Sequence, residues 1–571
     1  MITLKQKIKI FTYNKKYLLG IIFMFFLSII LTVLETVGIA SITTMITLLS
    51  DSNNYIFEKF IKISIDWNIK NILTFILIIF FLKSIFQITY NFLQSKISQL
   101  MNVYFISNLF KKFINSSYEV NILKNPSILI RKVSTDVEMS VSYFFTVLLI
   151  IKECLILLAI LFLLFFVKTN IVILVFFLFG SISIMFYKSV KKKLTELASK
   201  FLKSKTESIK IINQAFGSLK ENIILNLKKS LIDKFQKRIV QVQKFVFLNS
   251  FIQSLPRVLF ELIAVISIVI IAYIFLTLTK DIDYILQVLT LIGICSVRLI
   301  PSFNLLTNSF TLLKSYNEIF NKFCEDILYF ENLSEQKKEE EIDIVNKKNF
   351  NKSLELKNIY FKYPNTKKNI INNGNIIIKQ GSTIGISGKS GSGKTTLVDI
   401  IIGLLKKNSG KFKIDNKIFE GNRMIFGKNK VGYVPQTPFL TDDTIENNIL
   451  FGRNIKNKNN AIKKIIKLTQ LKDFISELPM GLQTIVGNNG ARLSGGQKQR
   501  IVISRALLLN PELIIFDEAT SALDQLTENK LIKEIYKLKK ITTVIIISHK
   551  KEIIDKCDYK YIVKNNRVYK G

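Results

Sequence analysis

Gly388-Lys-Ser-Gly-Ser-Gly-Lys394-Thr395 decides the fold of one half of this chain. It fits the pattern GxxxxGK[ST], in the context that pattern needs. A strand-like run, Thr383–Ser387, leads into it, and a helix-like run, Thr396–Leu405, leads out. Glycines let successive backbone N–H groups wrap a phosphate, and the helix N-terminus behind them adds a favourable dipole. The candidate nucleotide-binding residues here are Gly388, Ser390, Gly391, Gly393, Lys394, Thr395 and Thr396. Lys394 is placed to reach the β- and γ-phosphates of ATP, and Thr395 to hold Mg²⁺.

Working outward, Leu493-Ser-Gly-Gly-Gln497 follows about 100 residues later. About 20 residues beyond it, Leu513-Ile-Ile-Phe-Asp517-Glu518 reads as an apolar strand ending in two acids. Asp517 suits Mg²⁺ through its water shell. Glu518 suits polarisation of an attacking water, as a general base must sit near the proton it takes.

This order of motifs resembles the ABC ATPases. The resemblance implies an α/β P-loop ATPase domain and further roles by position. Gln436, in Tyr433-Val-Pro-Gln436, is placed to link the metal to the transmembrane contact. Asp524, in Ser521-Ala-Leu-Asp524, sits in the loop after the acid pair. His549, after the strand Val544–Ser548, is placed to touch the γ-phosphate, and Tyr363 to stack on adenine. Ser494, Gly495, Gly496 and Gln497 are implied to meet the ATP held by an opposite subunit, so one copy per chain implies a homodimer. Thr484-Ile-Val-Gly-Asn-Asn-Gly490 departs from the family, because Asn488 replaces the usual acid. That departure puts in doubt the usual charged contact with the membrane helices, but not ATP hydrolysis.

The chain has 571 residues, 49% of them hydrophobic, with a net charge of +38 and a mean hydropathy of +0.31. The apolar excess lies in roughly the first 300 residues. Six stretches reach the length that a membrane helix needs: 17–48, 71–93, 141–167, 170–188, 258–279 and 283–307. The third and fourth form a hairpin around Lys168-Thr169-Asn170. The expected architecture is a six-helix transmembrane domain (1–330), a charged linker (331–350) and an ABC ATPase domain (351–571).

Lysines cluster at the N-terminus and in 189–257, so the positive-inside bias places both chain ends, 94–140 and 189–257 in the cytoplasm. The basic excess fits an anionic lipid surface better than nucleic acid, since it flanks apolar spans. The four cysteines fit neither a metal site nor a disulfide framework. The single histidine excludes a multi-histidine metal site. No cleavable signal peptide is evident, and the roughly 16 residues before the first span leave no fused peptidase domain.

Segments 119–127 and 211–222 read either as coupling helices, by resemblance to ABC exporters, or as ordinary turns. The segment 50–70, with Tyr55 and Trp67, reads as an interfacial helix or a plain loop.

Charges inside a bilayer cost several kcal/mol unless they face a cavity or a partner. Lys83, Arg257 and Arg298 therefore read as an anion site. The other reading is snorkelling, with Arg257 paired to Glu261 one turn on. Leu34–Ala40, Leu255–Glu261 and Val297–Ser302 resemble the flippases of lipid-linked oligosaccharides used in bacterial N-glycosylation. That resemblance implies a polyprenyl-pyrophosphate-linked oligosaccharide cargo moved across the bacterial inner membrane. Lys83 stands where a third arginine would be expected, with loss of bidentate geometry. A peptide, lipid or drug exporter is the alternative. A nucleotide-gated channel is disfavoured because Glu518 and His549 are both kept.

Overall fold

The computed structural model describes residues 6, 10–11, 15–49, 69–122, 125–167, 170–278, 282–344, 352–364, 366, 368–415, 417–419, 430–519, 525–538 and 542–571. Most of the 50–70 segment, with Tyr55 and Trp67, lies outside the described residues. So do Lys168-Thr169 and the loop Ser521–Asp524. The chain divides into two compact units, one of residues 1–116 and 120–336, the other of 117–119 and 337–571.

The first unit is helical. Its long helices are α1 (Lys15–Leu49), α2 (Ile69–Asn115), α5 (Val137–Val167), α6 (Asn170–Gly217), α8 (Lys228–Leu278) and α9 (Ile282–Ile344). Short helices α3 (Tyr118–Ile122), α4 (Pro126–Arg131) and α7 (Leu219–Ile224) overlap the candidate contact segments 119–127 and 211–222, α4 only at its first two residues. Four segments among the described residues are long and apolar enough to cross a membrane: Tyr17–Ile42, Lys70–Asn115, Pro126–Leu163 and Lys228–Ile270. Their outer faces keep large apolar side chains exposed, as at Leu19, Phe26, Leu77 and Phe81. An apolar surface that continuous is matched to lipid rather than water.

One difference from the sequence reading has a physical cause. The expected linker begins as helix, since α9 runs unbroken to Ile344. Glu, Lys and Gln dominate 335–341; all are strong helix formers that need no apolar stripe to extend an existing helix. Between α4 and α5 one wide π turn spans Lys132–Asp136. Arg131 closes it through Asp136 at 3.1 Å and also donates to the Leu202 carbonyl and Thr206 on α6. Lys132 donates to Asp326 on α9 at 2.7 Å.

The second unit holds two sheets. The four-stranded sheet runs β2-β1-β4-β5, from β1 (Ser353–Phe361), β2 (Ile371–Lys379), β4 (Ser409–Ile414) and β5 (Lys417–Phe419), all antiparallel. The six-stranded sheet runs β10-β9-β3-β8-β7-β6. Its members are β3 (Thr383–Gly388), β6 (Val431–Val434), β7 (Leu513–Asp517), β8 (Thr543–Ile547), β9 (Tyr559–Lys564) and β10 (Arg567–Lys570). Strands β6, β7, β8, β3 and β9 are parallel, with β10 antiparallel at the edge.

Strands β7 and β8 are buried at every position, which is why they read as continuous apolar runs rather than alternating ones. Side chains Leu354, Ile386, Phe412, Ile515 and Ile547 fill one core of this unit. Because β3, β7 and β8 are parallel neighbours, the loops that follow them leave the sheet at one edge. In open α/β sheets the carboxyl ends of the strands are where ligands bind.

Candidate functional site

The P-loop leaves β3 and enters α10 (Lys394–Ile401). Gly388 has φ +153°, and a Cβ there would come within 2.3 Å of the Val563 carbonyl oxygen. Gly393, the helix N-cap, has φ +102° and stands 3.2 Å by the same measure from the Ile370 carbonyl oxygen. No other residue type fits either place without moving backbone. Within the loop, Ser392 Oγ is buried and makes no hydrogen bond.

Lys394 is 7% exposed. Its ammonium donates to the carbonyls of Gly388 at 2.9 Å and Lys389 at 3.1 Å. It also lies 3.3 Å from His549 Nε2 and 3.8 Å from Glu518 Oε1. Glu518 is the meeting point of the site. His549 Nε2 is 2.7 Å from its Oε1, and Gln436 Nε2 donates to its Oε2 at 2.8 Å. Its backbone is left-handed, φ +50°, with its N–H donating to the Ile547 carbonyl at 3.1 Å. A non-glycine residue pays roughly 1–3 kcal/mol for such a conformation, and such outliers gather at functional sites. The sheet sets this position, because β7 ends at Asp517 and the chain must turn directly.

Asp517, 6% exposed, accepts from Thr395 Oγ1 at 3.3 Å and from the Tyr433 hydroxyl at 3.0 Å. Burial raises its carboxyl above the ordinary range, and these two hydrogen bonds pull against that rise. Asp399, also on α10, is pushed up to about 6 by burial and then by the Asp517 charge. Tyr433 and Asp399 were not singled out from the sequence. Tyr433 carried no local signal in the sequence: its role comes from β6 and β7 running parallel with Tyr433 beside Ile515, a register that carries its hydroxyl to Asp517.

Tyr363 is half-buried, its hydroxyl 3.1 Å from Thr396 Oγ1 and its ring edge-on to Phe361. Ser494 caps α14 (Gly495–Leu507), the fourth α-helix after α10 among the described residues, in a capping box. The Ser494 hydroxyl accepts the Gln497 N–H at 3.2 Å, and Gln497 Oε1 accepts the Ser494 N–H at 2.8 Å. Ser494 and Gly495 are exposed. Asp524 lies outside the described residues. Asn488, where the family acid is missing, opens a short 3₁₀ turn, Asn488–Gly490.

The residues converging on the P-loop thus combine an ammonium, the N–H groups of a helix start, the hydroxyls of Thr395 and Tyr433, an imidazole, an amide and two carboxylates. This donor set fits a polyphosphate with a hard, oxygen-preferring divalent cation. No group of three or more His, Cys, Asp or Glu able to hold a metal by itself occurs among the described residues.

The proposed anion trio does not assemble as expected. Arg257 pairs with Glu261 on its own helix at 2.9 Å, with both side chains more than half exposed. The local i,i+4 partner satisfies it. Lys83 and Arg298 do come together, but on a carboxylate. Glu35 lies 2.9 Å from Lys83 Nζ and 3.0 Å from Arg298 Nε. Arg298 also approaches Glu153 at 3.8 Å, and Lys152 lies 3.9 Å from Glu153. Ser302 donates to Glu153 at 2.9 Å. Helices α1, α2, α5 and α9 each contribute to this cluster.

Residues 371–521 match the family model described as ABC transporter. Over 219 residues the chain is 39% identical to a putative export ATP-binding/permease protein of Rickettsia typhi, covering 38% of each chain. Over 215 residues it is 37% identical to an ATP-dependent lipid A-core flippase of Pectobacterium atrosepticum, covering 38% of this chain and 37% of that protein. The matched stretch thus spans less than two-fifths of the length of these curated relatives. A bacterial Atm1-family ABC exporter solved with ATP bound superposes with a TM-score of 0.76 at 18% identity, over 97% of this chain and 95% of that one. The fold is therefore that of an ABC exporter, a helical membrane-type region followed by a P-loop ATPase domain.

Proposed function

We propose that the chain is one half of an ATP-driven exporter that works as a homodimer in the bacterial inner membrane, with both termini cytoplasmic. The favoured cargo is a polyprenyl-pyrophosphate-linked oligosaccharide, moved from the cytoplasmic to the outer leaflet. The observation that carries the ATP-driven part is the convergence of Lys394, Gln436, Asp517, Glu518 and His549 at the carboxyl ends of β3, β6, β7 and β8.

In this reading Lys394 and the backbone of Gly388–Thr395 hold the β- and γ-phosphates of ATP. Thr395, Asp517 and Gln436 hold Mg²⁺, which when bound supplies neutralisation of phosphate charge. Tyr363 packs on the base. Glu518 accepts the proton of the attacking water, and His549, which contacts the same carboxylate, fixes its orientation next to the γ-phosphate. Lys394 exchanges its carbonyl and histidine contacts for phosphate oxygens. Ser494, Gly495 and Gly496 stand at the exposed start of α14, placed to meet nucleotide held by a second copy. Asp524 is assigned to the same interface.

Two cations, Lys83 and Arg298, support an anionic headgroup. A second reading, export of another lipid, is favoured by the relatives described as lipid A-core flippases. ATPase activity of the reconstituted protein separates them. Stimulation by short polyprenyl-pyrophosphate glycans, and not by lipid A or peptides, is expected. Stimulation by lipid A or peptides alone would sink the favoured cargo.

A further inference from the structure

We infer that Glu35 is the resident counter-anion of a cation pair in the membrane unit, and that an anionic group on a ligand takes its place on Lys83 and Arg298. This rests on the anionic-cargo reading above and adds the mechanism by which such a group would be admitted.

Three observations carry it. The first is stoichiometry. Among the described residues, the carboxylates facing Lys83, Lys152 and Arg298 are Glu35 and Glu153, so the cluster holds three formal cations and two formal anions. A low-dielectric site with a cation in excess favours a further negative charge.

The second is depth. The side chains of Lys83 and Arg298 keep 26% and 22% of their exposure, against 9% for Glu35 and 2% for Glu153. Lys83 and Arg298 are thus the more accessible members of the cluster and the carboxylates the more buried ones.

The third is imperfect pairing. Arg298 Nε lies 3.0 Å from Glu35, yet its N–H is not aimed to make a hydrogen bond. A guanidinium has five donors in a rigid fork, and this one spends few of them.

The two carboxylates also differ in how they are held. Glu153 accepts from the Ser302 hydroxyl and is almost fully buried. Glu35 carries the two short cation contacts. Glu35 is therefore the one whose displacement frees Lys83 and leaves Arg298 only its looser 3.8 Å approach to Glu153, while Glu153 keeps the cluster from becoming three bare charges. The ligand chemistry required is an oxyanion. Lys83 offers a point charge and Arg298 a planar fork, which suits a phosphate or carboxylate group.

The test uses the full-length protein in nanodiscs with three probes: farnesyl pyrophosphate, farnesol and inorganic pyrophosphate. The native protein is expected to bind farnesyl pyrophosphate and not farnesol. Binding of inorganic pyrophosphate with equal affinity would assign the site to a free anion; weak or no binding would assign it to a lipid headgroup. Glu35→Gln is expected to tighten anion binding about tenfold, and Arg298→Gln to weaken it about tenfold. Should Glu35→Gln fail to fold, Glu35→Gln/Lys83→Gln is compared with Lys83→Gln. The double variant then binds more tightly, because Arg298 is released from its carboxylate. If the native protein binds the anion and removal of Glu35 leaves affinity unchanged or weaker in both comparisons, the exchange is refuted while anionic cargo stands. If no variant binds an anionic probe, the anionic-cargo reading falls with it.

Discussion

The two charged clusters of this molecule are built on opposite plans. At the P-loop, loops following parallel neighbouring strands deliver each charged group, and backbone geometry fixes where each one stands. Glu518 is held in a left-handed turn between β7 and the Ile547 carbonyl, and Lys394 is held by two carbonyls. In the membrane cluster, among the described residues, the charges are met by other side chains. Glu35, Lys83, Glu153 and Arg298 come from four helices and position one another. The first cluster is a rigid receptor whose ligand replaces the carbonyl and histidine contacts of Lys394. The second is self-neutralised, and its ligand must compete with a carboxylate.

Breaking the rigid cluster should give the largest effect. Glu518→Gln is expected to lower ATP turnover about 10²–10⁴-fold, the range for loss of a positioned general base, with ATP binding retained. Steady-state hydrolysis alongside nucleotide binding checks both halves of this statement, and undiminished turnover would remove Glu518 from its assigned role. Gly388→Ala should abolish nucleotide binding while the protein still folds. Its new Cβ would press on the Val563 carbonyl, and the loop, not the core, would yield.

A smaller change sharpens the same site. Tyr433→Phe removes one hydroxyl from Asp517. One hydrogen bond is worth about 0.5–1.5 kcal/mol, so the affinity for magnesium nucleotide should fall roughly two- to tenfold, with turnover at saturation little changed.

The smallest effect concerns pH, through Asp399. Burial and the neighbouring Asp517 push its carboxyl up to about 6, whereas an unfolded aspartate titrates near 4. The folded state then binds the proton more tightly than the unfolded state. The stability contributed by this group is whole below about pH 4 and is lost as pH rises through about 6. Asp399→Asn should therefore melt with the native protein near pH 4, and the difference in its favour should grow up to about pH 6.5 and then level off. Melting curves of nucleotide- and magnesium-free protein measure this; a gap that shrinks with rising pH would contradict the assignment.

The same contrast explains what was legible in the sequence. Parallel strands are read as short apolar runs, and the residue closing each run marks a loop at one edge of the sheet. Gly388, Asp517 and His549 were legible for that reason, and the structure places their loops together. Tyr433 was missed because its role comes from register between β6 and β7, which no local pattern encodes. Asp399 was missed because one acid on an amphipathic helix reads as solvated surface.

In the membrane half, lone charges within apolar runs could be found, but not their partners. Lys83 reaches Glu35 across 48 residues, and Ser302 reaches Glu153 across 149. Helical spacing predicts only neighbours within a turn, so it found Arg257 with Glu261 and not Arg298 with Glu35. The helical continuation through 331–344 was missed for a related reason: a helix that extends by propensity alone shows no periodic apolar face.

The central claim is that ATP hydrolysis at the rigid cluster drives an anionic amphiphile across the membrane. It is tested most directly in proteoliposomes carrying the purified chain and a polyprenyl-pyrophosphate-linked glycan, scored by the glycan exposed on the trans leaflet. The account predicts exposure that requires ATP and disappears in Glu518→Gln. Exposure that persists without ATP, or is equal in the Glu518→Gln protein, would contradict it.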